Sequence, residues 1–132
     1  MFRFEAAHIL SSAYTKCCSD TIHGHSYQVE IFLSRNKLNK DGMVVDFGEL
    51  KKVIGPIIDA WDHAVLIPND KFSAEAEFLI GKKIIWTEEN PTAEWMAERI
   101  YATIQFRSML PVKKVRVHET ETGYAEYEEE LI

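Results

Sequence analysis

The sequence predicts an α+β domain, an antiparallel sheet with helices packed on one face. Two observations carry that expectation. Apolar residues alternate with period two near both ends of the chain, in residues 2–8, 25–33, 113–120 and 124–129, whereas the stretches 46–61 and 92–107 between them carry apolar residues at helical spacing. The resulting order is strand, strand, helix, helix, strand, strand. With no internal repeat and no low-complexity linker, it describes one sheet covered by one helical layer.

Length and composition agree with a single domain over 1–132. A chain of 132 residues with 46% hydrophobic and 27% charged residues can bury an ordinary core of its own. The formal charge of −6 argues against a general polyanion surface, so no nucleic-acid partner is expected and an anionic substrate must meet a local basic pocket. No apolar run approaches the roughly 20 residues of a spanning helix, and Met1-Phe2-Arg3-Phe4-Glu5 does not read as a secretory signal. The expectation is a cytoplasmic protein without a membrane partner. Cys17 and Cys18 are sequence neighbours, and a disulfide between them would be strained; a reducing compartment fits two free thiols.

In chain order, Phe2, Phe4, Ala6 and His8 form the apolar face of a first strand, and residues 9–22 read as a loop that holds both cysteines. A second strand sets Tyr27, Val29, Ile31 and Leu33 against Ser26, Gln28, Glu30 and Phe32. After a polar turn, Asp46 is placed to cap a helix whose inward residues are Leu50, Val53, Ile54, Ile57, Ile58 and Trp61. Gly55-Pro56 should kink or divide that helix. Residues 69–83 read as loop plus a short helical turn, and Ile84-Ile85-Trp86 suits a short added strand. Asn90-Pro91-Thr92 starts a second helix that sets Met96, Ala97, Ile100 and Ile104 on one side as far as about Arg107. A hairpin turning through Gly123 ends the fold, with Val115, Val117 and Glu119 on one face and Lys114, Arg116 and His118 on the other.

The chemistry centres on His23-Gly24-His25. Two imidazoles one residue apart on a strand point to the same side, a spacing that suits a shared zinc ion. If the first two strands pair antiparallel, His8 joins them at one end of the apolar face. Glu119 enters the same face as a carboxylate, and so implies a buried ion pair, a frayed strand end or a ligand-binding acid. His118 falls on the polar face and stays outside the metal site. By itself, Asp62-His63 reads as a polar feature at a helix end.

Taken together, Phe4-Glu5-Ala6-Ala7-His8, the cysteine loop before His23-Gly24-His25-Ser26-Tyr27, Val45-Asp46-Phe47, Asp62-His63, Asn90-Pro91-Thr92-Ala93-Glu94 and His118-Glu119-Thr120 cover most of the chain. In that order they resemble the family of 6-pyruvoyl-tetrahydropterin and 6-carboxy-tetrahydropterin synthases, the latter of the queuosine pathway. The resemblance implies the tunnelling fold (T-fold), here a four-stranded antiparallel sheet with two helices on one face. It also implies a zinc (Zn2+) enzyme acting on 7,8-dihydroneopterin triphosphate, assembled as a homo-oligomer, a trimer or hexamer, with active sites between subunits.

Residue by residue, the resemblance makes His8, His23 and His25 the zinc ligands, with a fourth position left open for substrate oxygens. It supplies a thiolate base, matching Cys18 by its spacing from His23 in bacterial carboxy-type enzymes, with Cys17 as the alternative by the pyruvoyl-type spacing. His63 exchanges protons with that cysteine and Asp62 orients the ring. Glu119 anchors the pterin by accepting two hydrogen bonds from its aminopyrimidinone edge. Thr92 and Glu94 match a pterin-pocket motif and are equally readable as helix-capping residues. The chain departs from the family pattern at Trp95, where a small amide is common, and in a longer segment over 69–89. Three functions stay open: the carboxy-type lyase, the pyruvoyl-type synthase, and a noncatalytic zinc- or pterin-binding domain.

Overall fold

A computed structural model describes residues 1–10, 23–69 and 83–129. Strand β1 (Phe2–His8) pairs antiparallel with β2 (His23–Leu33), in a register that sets Phe4 opposite Tyr27, Ala6 opposite His25 and His8 opposite His23. This is the juxtaposition that strand parity predicts. Strands β5 (Val112–His118) and β6 (Tyr124–Glu128) extend the antiparallel sheet beyond β2, and their hairpin closes on the Glu119 N–H donating to the Gly123 carbonyl at 3.0 Å.

The sheet is larger than the four antiparallel strands expected. Two more strands, β3 (Ala64–Pro68) and β4 (Lys83–Thr87), add on the other side of β1, giving the order β4-β3-β1-β2-β5-β6. Both run parallel to β1, so the sheet is mixed. β3 escaped sequence reading because Ala64-Val65-Leu66-Ile67-Pro68 is a continuous apolar run with no alternation, as befits a parallel strand buried on both faces. Ile84-Ile85-Trp86 does lie in a strand, as its composition suggested.

Helix α1 (Phe47–Asp59) begins where Asp46 accepts the Gly48 N–H at 3.0 Å, which confirms the cap. It is not divided at Gly55-Pro56. Pro56 sits in the last turn on the exposed side, where water can pair the carbonyl that proline leaves without a donor. The far end of α1 is tied to β4: the Lys83 ammonium donates to the carbonyls of Asp59 and Asp62 at 2.7 and 3.1 Å. Helix α2 (Ala93–Arg107) follows the cap residue Thr92, whose hydroxyl accepts the Trp95 N–H at 3.1 Å.

Both helices pack on the sheet face that carries Phe4, Ala6, Tyr27, Val29, Val115 and Val117. Ile54, Met96, Ile100 and Ile104 are fully buried there, and each such side chain contributes roughly 1.5–3 kcal/mol of apolar burial. Trp95, the departure noted in the sequence, stacks on Trp61 with ring centroids 5.5 Å apart and joins α2 to the turn that follows α1. Its outer side carries the Arg99 guanidinium 5.3 Å from the ring centroid. His8 and His25 lie at the end of the sheet beyond this core.

Candidate metal centre and its surroundings

His8 ends β1 and is 1% exposed, at the edge of the apolar core. Its Nδ1 lies 2.9 Å from the Pro91 carbonyl oxygen. A carbonyl can only accept, so Nδ1 carries the proton and the Nε2 lone pair is left for another partner. The Tyr27 hydroxyl lies 3.2 Å from the same Nδ1, and the Tyr27 ring packs edge-on against both His8 and His25. Burial, and secondarily the charge of Glu119, pushes the Tyr27 hydroxyl well above the ordinary phenol range, so it stays protonated.

Glu119 completes a triangle. One carboxylate oxygen stands 3.6 Å from His8 Nε2 and 3.7 Å from His25 Nε2, and the three donor atoms lie within 4.8 Å of one another. Zinc bound by tetrahedral donors at 2.0–2.1 Å would set neighbouring donors roughly 3.4 Å apart. The triangle is therefore near the size of a metal site, and its imidazole and carboxylate donors suit a first-row divalent ion. The Pro91 carbonyl behind His8 is the outer-shell partner that such a ligand needs.

Other expected site residues stand in three places. His23 occupies the register position opposite His8, while its side chain lies outside the described residues, as do Cys17 and Cys18. Asp62 and His63 lie just past α1, with Asp62 Oδ1 3.1 Å from His63 Nδ1. Backbone contacts with β1 hold this pair: the Glu5 N–H donates to Asp62 Oδ1 at 2.9 Å, and the His63 N–H donates to the Glu5 carbonyl at 2.5 Å. His63 has φ 58°, a left-handed conformation that costs a residue with a Cβ roughly 1–2 kcal/mol and is maintained here by those bonds. The Glu5 N–H, followed by His63, keeps the Asp62 carboxyl below the usual carboxylate range.

His63 lines an open cavity of about 480 Å³ together with Glu5, Ala7, Gly24, His25 and Ser26. Glu119 lines a second cavity, of about 460 Å³, with Arg3, Gln28 and His118. Thr92 is the α2 cap and Glu94 is exposed in the first helical turn; neither lines the Glu119 cavity. His118 pairs with Glu30 at 2.6 Å on the polar face and takes no part in the donor triangle, as parity predicts.

Sequence reading missed two residues of this site. Tyr27 shares a strand face with His25 and was open to inference by parity, whereas a backbone carbonyl such as that of Pro91 leaves no side-chain signal. Among the described residues, no helix is long and apolar enough to cross a membrane.

Comparison with known proteins identifies the family. A sequence model described as 6-pyruvoyl tetrahydropterin synthase matches residues 1–130. The chain is 33% identical to the 6-carboxy-5,6,7,8-tetrahydropterin synthase of Helicobacter pylori strain J99, over 96% of this chain and 69% of the relative. It is 32% identical to the enzyme of the same name from Rickettsia felis, with 93% of each chain covered. A solved 6-pyruvoyl tetrahydropterin synthase from Caenorhabditis elegans superposes with a TM-score of 0.73 at 25% identity, over 98% of this chain and 91% of that one. The chain belongs to the 6-pyruvoyl tetrahydropterin synthase family.

Proposed function

We propose that this chain is a zinc-dependent 6-carboxy-5,6,7,8-tetrahydropterin synthase, a lyase that converts 7,8-dihydroneopterin triphosphate and one water to 6-carboxytetrahydropterin, acetaldehyde and triphosphate. The observation that carries this reading is the donor triangle of His8, His25 and Glu119, found in a chain whose relatives bear that enzyme's name. His8, His23 and His25 would hold the zinc. When bound, the ion polarises substrate side-chain oxygens and makes the adjacent C–H bonds more acidic.

The chain's own groups then have distinct tasks. Cys18 acts as the thiolate base, with Cys17 as the alternative thiol. His63 exchanges the proton with that thiol, and the Asp62 carboxylate, held ionised by the Glu5 N–H, orients the imidazole. Glu119 accepts hydrogen bonds from the pterin's aminopyrimidinone edge within the cavity it shares with Arg3 and Gln28. The same reading gives Thr92 and Glu94, at the start of α2 and outside that cavity, a part in the wider pterin pocket. It also takes the protein to be a homo-oligomer, a trimer or hexamer, in which a neighbouring copy would cover His63, 78% exposed in the single chain. A cytoplasmic setting suits a thiolate base.

Product analysis tests this proposal. Zinc-loaded protein incubated with 7,8-dihydroneopterin triphosphate should yield acetaldehyde, triphosphate and a 6-carboxylated pterin by mass. Triphosphate release with the three-carbon side chain retained would identify the pyruvoyl-type reaction instead. Pterin binding without consumption would identify a noncatalytic domain.

A further inference from the structure

Glu119 stands where two demands meet. Its Oε1 faces both imidazole Nε2 atoms at 3.6 and 3.7 Å, yet the residue also lines the cavity with Arg3 and Gln28 where a pterin edge would lie. A carboxylate that turns both oxygens to a pterin edge to accept two hydrogen bonds moves Oε1 away from the two imidazole nitrogens it now faces. The side chain is 33% exposed, so it has room to turn. Its backbone is fixed, with the Glu119 N–H on the Gly123 carbonyl at 3.0 Å. A change of partner therefore needs only side-chain rotation, with the strand left in place.

We infer that Glu119 is a ligand of the substrate-free metal and is handed from metal to pterin when substrate binds. This rests on the zinc reading above and assigns Glu119 a role beyond pterin anchoring. The carboxylate would close the coordination sphere while the site is empty of substrate. The arriving aminopyrimidinone edge would draw it away and expose a coordination position at the moment substrate oxygens can take it. Metal opening would then depend on recognition of the pterin ring.

The test uses the full chain loaded with Co2+, whose visible d–d absorption reports ligand number and type, and unsubstituted pterin as the probe. Glu119→Gln should lower Zn2+ affinity by at least ~10-fold in chelator competition and change the substrate-free Co2+ spectrum. Pterin should shift the wild-type spectrum toward that of the variant and leave the variant's spectrum unmoved. With Glu119→Ala, added acetate should restore the wild-type band. Wild-type affinity and an unchanged spectrum in Glu119→Gln would overturn the handover while leaving the zinc reading intact. Wild-type protein that takes up no Co2+ would overturn both.

Discussion

His8 is bound to the Pro91 carbonyl at 2.9 Å across 83 residues of sequence, so the start of α2 sets the tautomer of a candidate metal ligand at the end of β1. Thr92, the next residue, caps that helix. A change in the cap should thus be felt at the metal as well as in stability. Thr92→Ala is expected to cost about 1 kcal/mol in denaturant unfolding of the metal-free protein. It should also weaken zinc binding by roughly 10-fold in chelator competition, and Thr92→Ser should restore both.

The donor set makes a second expectation specific. His8→Ala and His25→Ala should each abolish stoichiometric zinc in elemental analysis of purified protein, because each removes a donor from a site of three or four. His118→Ala should retain full zinc, since His118 pairs with Glu30 on the opposite face. Zinc loss in the His118 variant would place the site elsewhere.

Asp62 should leave a signature in pH dependence. Its carboxyl lies below the ordinary range because the charged form accepts the Glu5 N–H and faces His63. A depressed folded-state pKa contributes stability at pH above the unfolded value, and that contribution is lost as pH falls through the folded value. Asp62→Asn should therefore lower Tm at neutral pH, and its difference from wild type should shrink toward zero as pH drops below about 4. A Tm difference that is constant with pH would mean that the carboxylate charge has no part in the clasp.

Much of this site was legible in the sequence because strands obey parity. The alternation of Phe2, Phe4, Ala6 and His8 and of His25, Tyr27 and Val29 placed the imidazoles on the core face, and Val115, Val117 and Glu119 brought the acid to the same side. What parity could not reach was topology. β3 is apolar on both faces and has no period, so its insertion beside β1, and with it the attachment of Asp62-His63 to Glu5, came only from the structure. The Pro91 carbonyl was hidden for another reason: every residue carries the same backbone carbonyl acceptor, and its role follows from where α2 begins in space. Trp95, where the chain departs from the family pattern, stacks on Trp61 just past the end of α1.

The two thiols differ by one position, and a single-turnover assay separates them. Cys18→Ala should abolish product formation while zinc content and pterin binding stay at wild-type levels. Cys17→Ala should keep most of the turnover, since general-base catalysis typically supplies 10²–10⁴-fold and only one thiol provides it. Loss of turnover in Cys17→Ala alone would assign the base to Cys17.

The proposed activity depends on a metal held at the end of β1 and β2 acting on a pterin triphosphate. Chelator-stripped protein titrated with Zn2+ in the presence of 7,8-dihydroneopterin triphosphate measures both together. Acetaldehyde release should rise linearly with added zinc and level off at one equivalent per chain. Full release from stripped protein, with no response to added zinc, would contradict it.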